Sequence, residues 1–104
     1  MKAVFQGSQS ERGQLSLYLK DGQENPFDAY SVTYSFCHWD GCCWKRLTTD
    51  VRAPEHPALG EYYVYETFLS RHWALGSYAV RWEVIPREGE PVKVIHSEFD
   101  VVSL

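Results

Sequence analysis

The chain has no cluster of basic residues, no long apolar stretch and too few cysteines for a disulfide framework. Ten Lys and Arg stand against 14 Asp and Glu, giving a formal net charge of -4. A protein that neutralises phosphates on a duplex needs a basic face, so nucleic acid is not expected as a partner. The opening residues, MKAVFQGSQSERG, turn polar after five positions, and nothing downstream is apolar for long enough to span a bilayer. Neither a signal peptide nor a membrane partner is therefore expected, and the chain is read as made and kept in a cytosol. The three cysteines are odd in number and two are adjacent, which suits reduced thiols better than paired bridges. No phosphate-cradling glycine loop and no metalloprotease motif occurs.

What the sequence does hold is aromatic and alternating. Aromatic residues make up 15% of its 104 positions, enough chain for one domain that buries roughly two-thirds of its unfolded surface. Residues 59–82 read LGEYYVYETFLSRHWALGSYAVRW, two Gly-x-Tyr strand starts in succession. In the second, Tyr78, Val80, Trp82 and Val84 alternate with Ser77, Ala79, Arg81 and Glu83, the period-2 signature of a half-buried strand. Leu15, Leu17 and Leu19 form a leucine face, and Asp21-Gly22 marks the turn after it. Tyr30, Val32, Tyr34 and Phe36 line one side of the clearest strand, opposite Ser31, Thr33 and Ser35.

Pro54 and Pro57 make residues 48–59 a loop or irregular edge, because neither can donate to a sheet ladder. Residues 70–76 have room for one helical turn. In the last strand, over residues 92–102, Val92, Val94 and His96 are out of phase with Phe99 and Val101, which predicts a bulge. About seven strands with regular turn signals and no ordinary helix predict an all-β fold, a single antiparallel immunoglobulin-like β-sandwich over residues 14–104. A small closed barrel is the alternative. Residues 1–13 are read as an N-terminal arm or an edge strand. Tyr78, at the start of its strand, suits a tyrosine corner or a plain core position.

Asp40-Gly41 is a strong two-residue hairpin signal and sets Trp39 opposite Cys42, His38 opposite Cys43 and Cys37 opposite Trp44. In that register Cys37 and Cys42 lie on one face while His38 and Cys43 lie on the other, so the four cannot converge on a zinc ion. No metal, cofactor or catalytic site is expected. A nucleophilic cysteine would need His38, His56 or His72 as base; His38 and Cys43 are paired across strands, but nothing marks an oxyanion hole. Glu61, Glu66, Glu83, Glu88, Glu90, Glu98 and Asp100 read as a solvated sheet face. Trp39 and Trp44 fall on the side opposite Tyr34 and Phe36 and are expected to project outward with Cys37 and Cys42. Covering by the N-terminal arm, or a bulge that turns the rings inward, is the competing reading. Exposed Trp supplies large contact area at low entropic cost, so Trp39, Trp44 and Cys42 are the candidate partner-binding residues.

The motifs LSLYLKDG (15–22), NPFDAYSVTYSF (25–36), LGEYYV (59–64), LGSYAVRW (75–82) and EFDVV (98–102) resemble small immunoglobulin-like proteins encoded among the virion genes of tailed bacteriophages. The resemblance covers nearly all of the chain after residue 13, and the Cys- and Trp-rich hairpin 37–44 departs from it. It implies a non-enzymatic virion structural protein, made in the host cytoplasm, that decorates or cements the capsid or sits at the neck or tail. The implied partners are phage capsid or connector and tail proteins, with a homo-oligomer possible. Two other functions compete: a soluble ligand-binding module that stacks a carbohydrate on Trp39 or Trp44, and a small cysteine- or metal-dependent enzyme.

Overall fold

A computed structural model describes residues 2–10, 13–47, 51–66 and 73–103. Among these residues the chain is all-β, with two sheets and eight strands: β1 (Lys2–Phe5), β2 (Ser16–Tyr18), β3 (Ser31–Trp39), β4 (Trp44–Arg46), β5 (Glu55–Ala58), β6 (Glu61–Tyr63), β7 (Gly76–Ile85) and β8 (Lys93–Val102). The larger sheet has the order β1-β8-β7-β3-β4 and the smaller the order β2-β6-β5. The pairs are antiparallel except β1 with β8, where Lys2 to Phe5 run parallel to Phe99 to Val102. The first residues are thus an edge strand.

Alternation decides which side of each long strand is buried. Tyr78, Val80, Trp82 and Val84 of β7 face inward with Tyr34 and Phe36 of β3 and with Phe99 and Val101 of β8. The smaller sheet and its flanks close over them with Leu15, Leu17, Leu19, Tyr62 and Val64. Rings meet mostly edge to face or tilted, as their quadrupoles favour: Phe36 lies 4.9 Å from Trp73 at 82° and 5.7 Å from Tyr34 at 80°. The Tyr78 hydroxyl donates to the Ala74 carbonyl at 2.6 Å, satisfying the polar end of a buried ring. Ser10, also buried, accepts from the Glu66 N–H and donates to the Val64 carbonyl, both at 2.8 Å, which stitches the segment after β1 to the end of β6.

The strands of the smaller sheet are short for a readable reason. Pro57 interrupts β5, whose pairing with β6 shifts register between Glu55 and Ala58. Between them Gly60 holds φ at 72°, and a Cβ there would come within 2.8 Å of the Leu19 carbonyl oxygen, so only glycine fits. The Asp28 carboxylate accepts from the Gly60 N–H at 2.9 Å and meets His56 Nε2 at 3.1 Å. His56 stacks flat on Tyr62, with ring centroids 4.2 Å apart, and its Nδ1 lies 2.7 Å from the Glu61 carbonyl. This clasp joins the approach to β3 to the smaller sheet.

Two expectations are overturned. β8 pairs with β7 in unbroken register from Lys93 to Val101, so the bulge is absent. Val94 is level with Glu83 on the outer face of the sheet and Val92 precedes the strand, so both are exposed and their alternation marks the uncovered side. The β3–β4 hairpin has a loop over residues 40–43, not 40–41: Trp39 pairs with Trp44, His38 with Lys45 and Cys37 with Arg46. The cause is the Asp40 side chain, whose Oδ1 accepts the N–H groups of Cys42 and Cys43, each at 2.9 Å, and so rounds the loop as an Asx turn. Only Gly41 in this loop has positive φ, whereas the tighter turn needs two such residues. Of residues 70–76, where a helical turn is expected, 70–72 lie outside the described residues, and 73–76 hold no helix and lead into β7.

Candidate binding site on the outer sheet face

The outer face of the larger sheet is laid out in rows that cross its strands. Trp44 and Trp39 are opposite one another, Ser77 is opposite Asp100, and pairing of His38 with Tyr78 puts Trp39 level with Ser77. The next row along holds Cys37, Ala79 and Glu98. Cys37 and Ala79 are small and buried, and the taller side chains stand around them. The result is a cleft of about 260 Å3 lined by Trp39, Trp44, Ser77 and Glu98.

Trp39 is 38% exposed and Trp44 half-buried. Their ring centroids are 5.3 Å apart and their planes meet at 60°, so they form a corner and not a flat platform. Ser77 donates its hydroxyl to Asp100 at 2.8 Å. Glu98 is exposed, and its carboxylate forms no hydrogen bond or ion pair within the described residues. The aromatic pair therefore lies on the expected face, but its neighbours differ from those expected. Cys37 is buried instead of projecting with the rings, because it sits mid-sheet, and Cys42 is on the exposed loop. In the sequence Ser77 and Glu98 read as ordinary members of a polar face; only the order β8-β7-β3-β4 brings them to the tryptophans.

The hairpin loop holds a carboxylate and two thiols. Backbone donation from Cys43 and Cys42, then the Lys45 ammonium 3.0 Å away, hold the Asp40 carboxyl well below the usual carboxylate range. Desolvation and then the Asp40 charge raise the Cys43 thiol, and burial raises Cys37, so neither becomes a ready thiolate. His38 is opposite Lys45, not Cys43, and its ring packs 4.6 Å from Tyr78. His56 is engaged in the Asp28 clasp, and His72 lies outside the described residues. Asp40, Cys42 and Cys43 bring three potential ligand atoms within 4.8 Å of one another, one short of a closed structural zinc set and without His38. At the opposite end of the sheet, a wider cleft of about 610 Å3 is edged by charges of both signs, Lys20, Arg87 and Lys93 with Asp21, Asp28 and Glu90.

Comparison with protein-family models, with curated proteins and with solved structures finds no match to this chain.

Proposed function

We propose that this protein is a non-enzymatic binding module with an immunoglobulin-like β-sandwich, and that it serves as a virion structural protein of a tailed bacteriophage. In this reading it decorates or cements the capsid, or sits at the neck or tail, and binds a repeated protein surface. The observation that carries it is the Trp39–Trp44 pair, large apolar surface placed on the outer face of the sheet beside an exposed loop. The immunoglobulin-like assignment is supported by the strand order β1-β8-β7-β3-β4 opposite β2-β6-β5 and by the Tyr78 hydroxyl bonded four residues upstream. Raised thiols and histidines engaged in packing support a binding role over catalysis. On a symmetric shell, many weak contacts of this kind add up through multivalency.

The test is the copy number of the chain in gradient-purified particles, measured by quantitative mass spectrometry. A count near that of the major shell protein means capsid decoration, and a count near that of one connector ring means neck or tail. Absence from particles sinks the virion reading. The double variant Trp39→Ala, Trp44→Ala is expected to stay folded and to lose most of its particle occupancy. The exposed Trp39 ring favours a second reading, a soluble module that stacks a sugar on Trp39 or Trp44. Retention on a glycan panel, lost in Trp39→Ala, is its expected signature.

A further inference from the structure

We infer that the cleft between Trp39, Trp44, Ser77 and Glu98 binds an organic cation, specifically a quaternary ammonium group. This rests on the reading of the outer sheet face as the working surface and specifies what that surface takes.

Three observations point to this ligand. First, both indoles line the cleft with their planes at 60° to one another, and an indole face carries the negative lobe of the ring quadrupole. A sugar ring stacks best on one open plane, whereas a compact, spherical cation gains from both walls of a corner. Second, Glu98 brings a full negative charge to the cleft wall with no partner within the described residues. Among the described residues no cation on this face pairs with it: Arg81 is joined to Glu83, and Arg46, in the same row as Glu98, is separated from it by Cys37 and Ala79. Asp100, the other carboxylate beside the cleft, holds the Ser77 hydroxyl and adds to the negative field. Third, the cleft has few groups to accept hydrogen bonds. Ser77 spends its proton on Asp100 and keeps only acceptor lone pairs, and Glu98 on the next strand adds its carboxylate, so two residues of the lining accept and they do not share a strand. A primary ammonium brings three donors that would have to leave water, while a quaternary ammonium brings none. At about 260 Å3 the cleft suits a headgroup or the end of a side chain better than a whole drug-sized ligand.

The same chemistry can come from a free small molecule or from a trimethylated lysine on a protein, and the experiment separates the two. Choline, tetramethylammonium and a short trimethyllysine peptide are titrated into 15N-labelled protein while the indole Nε1–H signals are followed. Saturable shifts of the Trp39 and Trp44 signals are expected, with those of Trp73 and Trp82 unmoved. The neutral isostere 3,3-dimethyl-1-butanol should bind about tenfold more weakly, because it keeps the shape and loses the charge. Glu98→Gln, an exposed substitution that leaves the fold alone, should weaken choline severalfold, and added salt should do the same. Tighter binding of the peptide than of choline assigns the cation to a protein, and equal binding assigns it to a free molecule.

Equal shifts from the neutral isostere, no shift with any of the three cations, or shifts with sugars alone would overturn the inference. Particle association is scored independently. Loss of cation binding by Glu98→Gln with particle occupancy retained would separate this cleft from the virion contact, and silence toward cations in a chain that still coats particles would refute the cation site alone.

Discussion

The two faces of the larger sheet use the same residue type for opposite ends. Trp82 on β7 is fully buried, packed with Tyr34 on the inner face, while Trp39 on neighbouring β3 is 38% exposed and leans on Trp44. Both sit in alternating, aromatic-rich stretches of similar composition. What separates them is parity along the strand: one residue's shift would exchange the faces. Aromatic content alone therefore marks neither a core nor a binding patch. The inner face is paired, layered and closed by the smaller sheet, and the outer face is left with a corner of two rings and a free carboxylate.

The strongest way to break this comparison is to truncate one Trp on each face. Trp82→Ala should cost about 3–5 kcal/mol in a urea or guanidinium unfolding curve, from lost transfer energy and the cavity left behind. Trp39→Ala should stay within about 1 kcal/mol of the parent, since a partly exposed ring loses little on truncation. Similar costs at the two positions would mean that the outer pair is structural. A smaller effect probes the polar end of the inner face. Tyr78→Phe removes the bond to the Ala74 carbonyl and should cost about 1 kcal/mol in the same assay, with an unchanged denaturant slope. No loss would show that this bond is not holding the turn before β7.

Smaller still is a pH effect at the clasp on the smaller sheet. The bond to the Glu61 carbonyl and then the Asp28 carboxylate raise His56, while the Gly60 N–H and then His56 lower Asp28. The raised imidazole contributes stability that is complete below its unfolded value of about 6.5 and is lost as pH rises through the folded value. The depressed carboxyl contributes above its unfolded value of about 3.9 and is lost as pH falls through the folded one. The Tm difference between parent and His56→Gln should thus be largest between about pH 4 and 6.5 and shrink on either side. A difference that does not vary with pH would contradict the clasp. The last test alters stability least. Alkylation of the native protein should modify Cys42 and Cys43 and spare Cys37 until the chain is unfolded, although Cys37 shares the outer face with Trp39. Modification of all three at one rate would mean that the middle of that face is open.

Much of the architecture was legible residue by residue. Leu15, Leu17 and Leu19 alternate and are buried, as are Tyr78, Val80, Trp82 and Val84, because a half-buried strand must repeat every two residues. The outward placement of Trp39 and Trp44 followed from the same rule. The loop at Asp40 was misread because the dipeptide signal weighs backbone torsions, whereas the Asp40 carboxylate recruited two N–H groups and lengthened the turn. Val92 and Val94 mislead for a different reason: the pleat turns Val94 to the outer face, level with Glu83, and Val92 precedes the strand.

The sequence alone therefore determined that the chain is all-β and which way each strong strand turns its side chains, since pleating is a local property of the backbone. Only the tertiary structure decided which residues stand beside one another. Ser77 and Glu98 reach Trp39 and Trp44 through pairing of strands far apart in the chain, and that pairing depends on the order of the whole sheet and on the hydrogen bonds of a single loop.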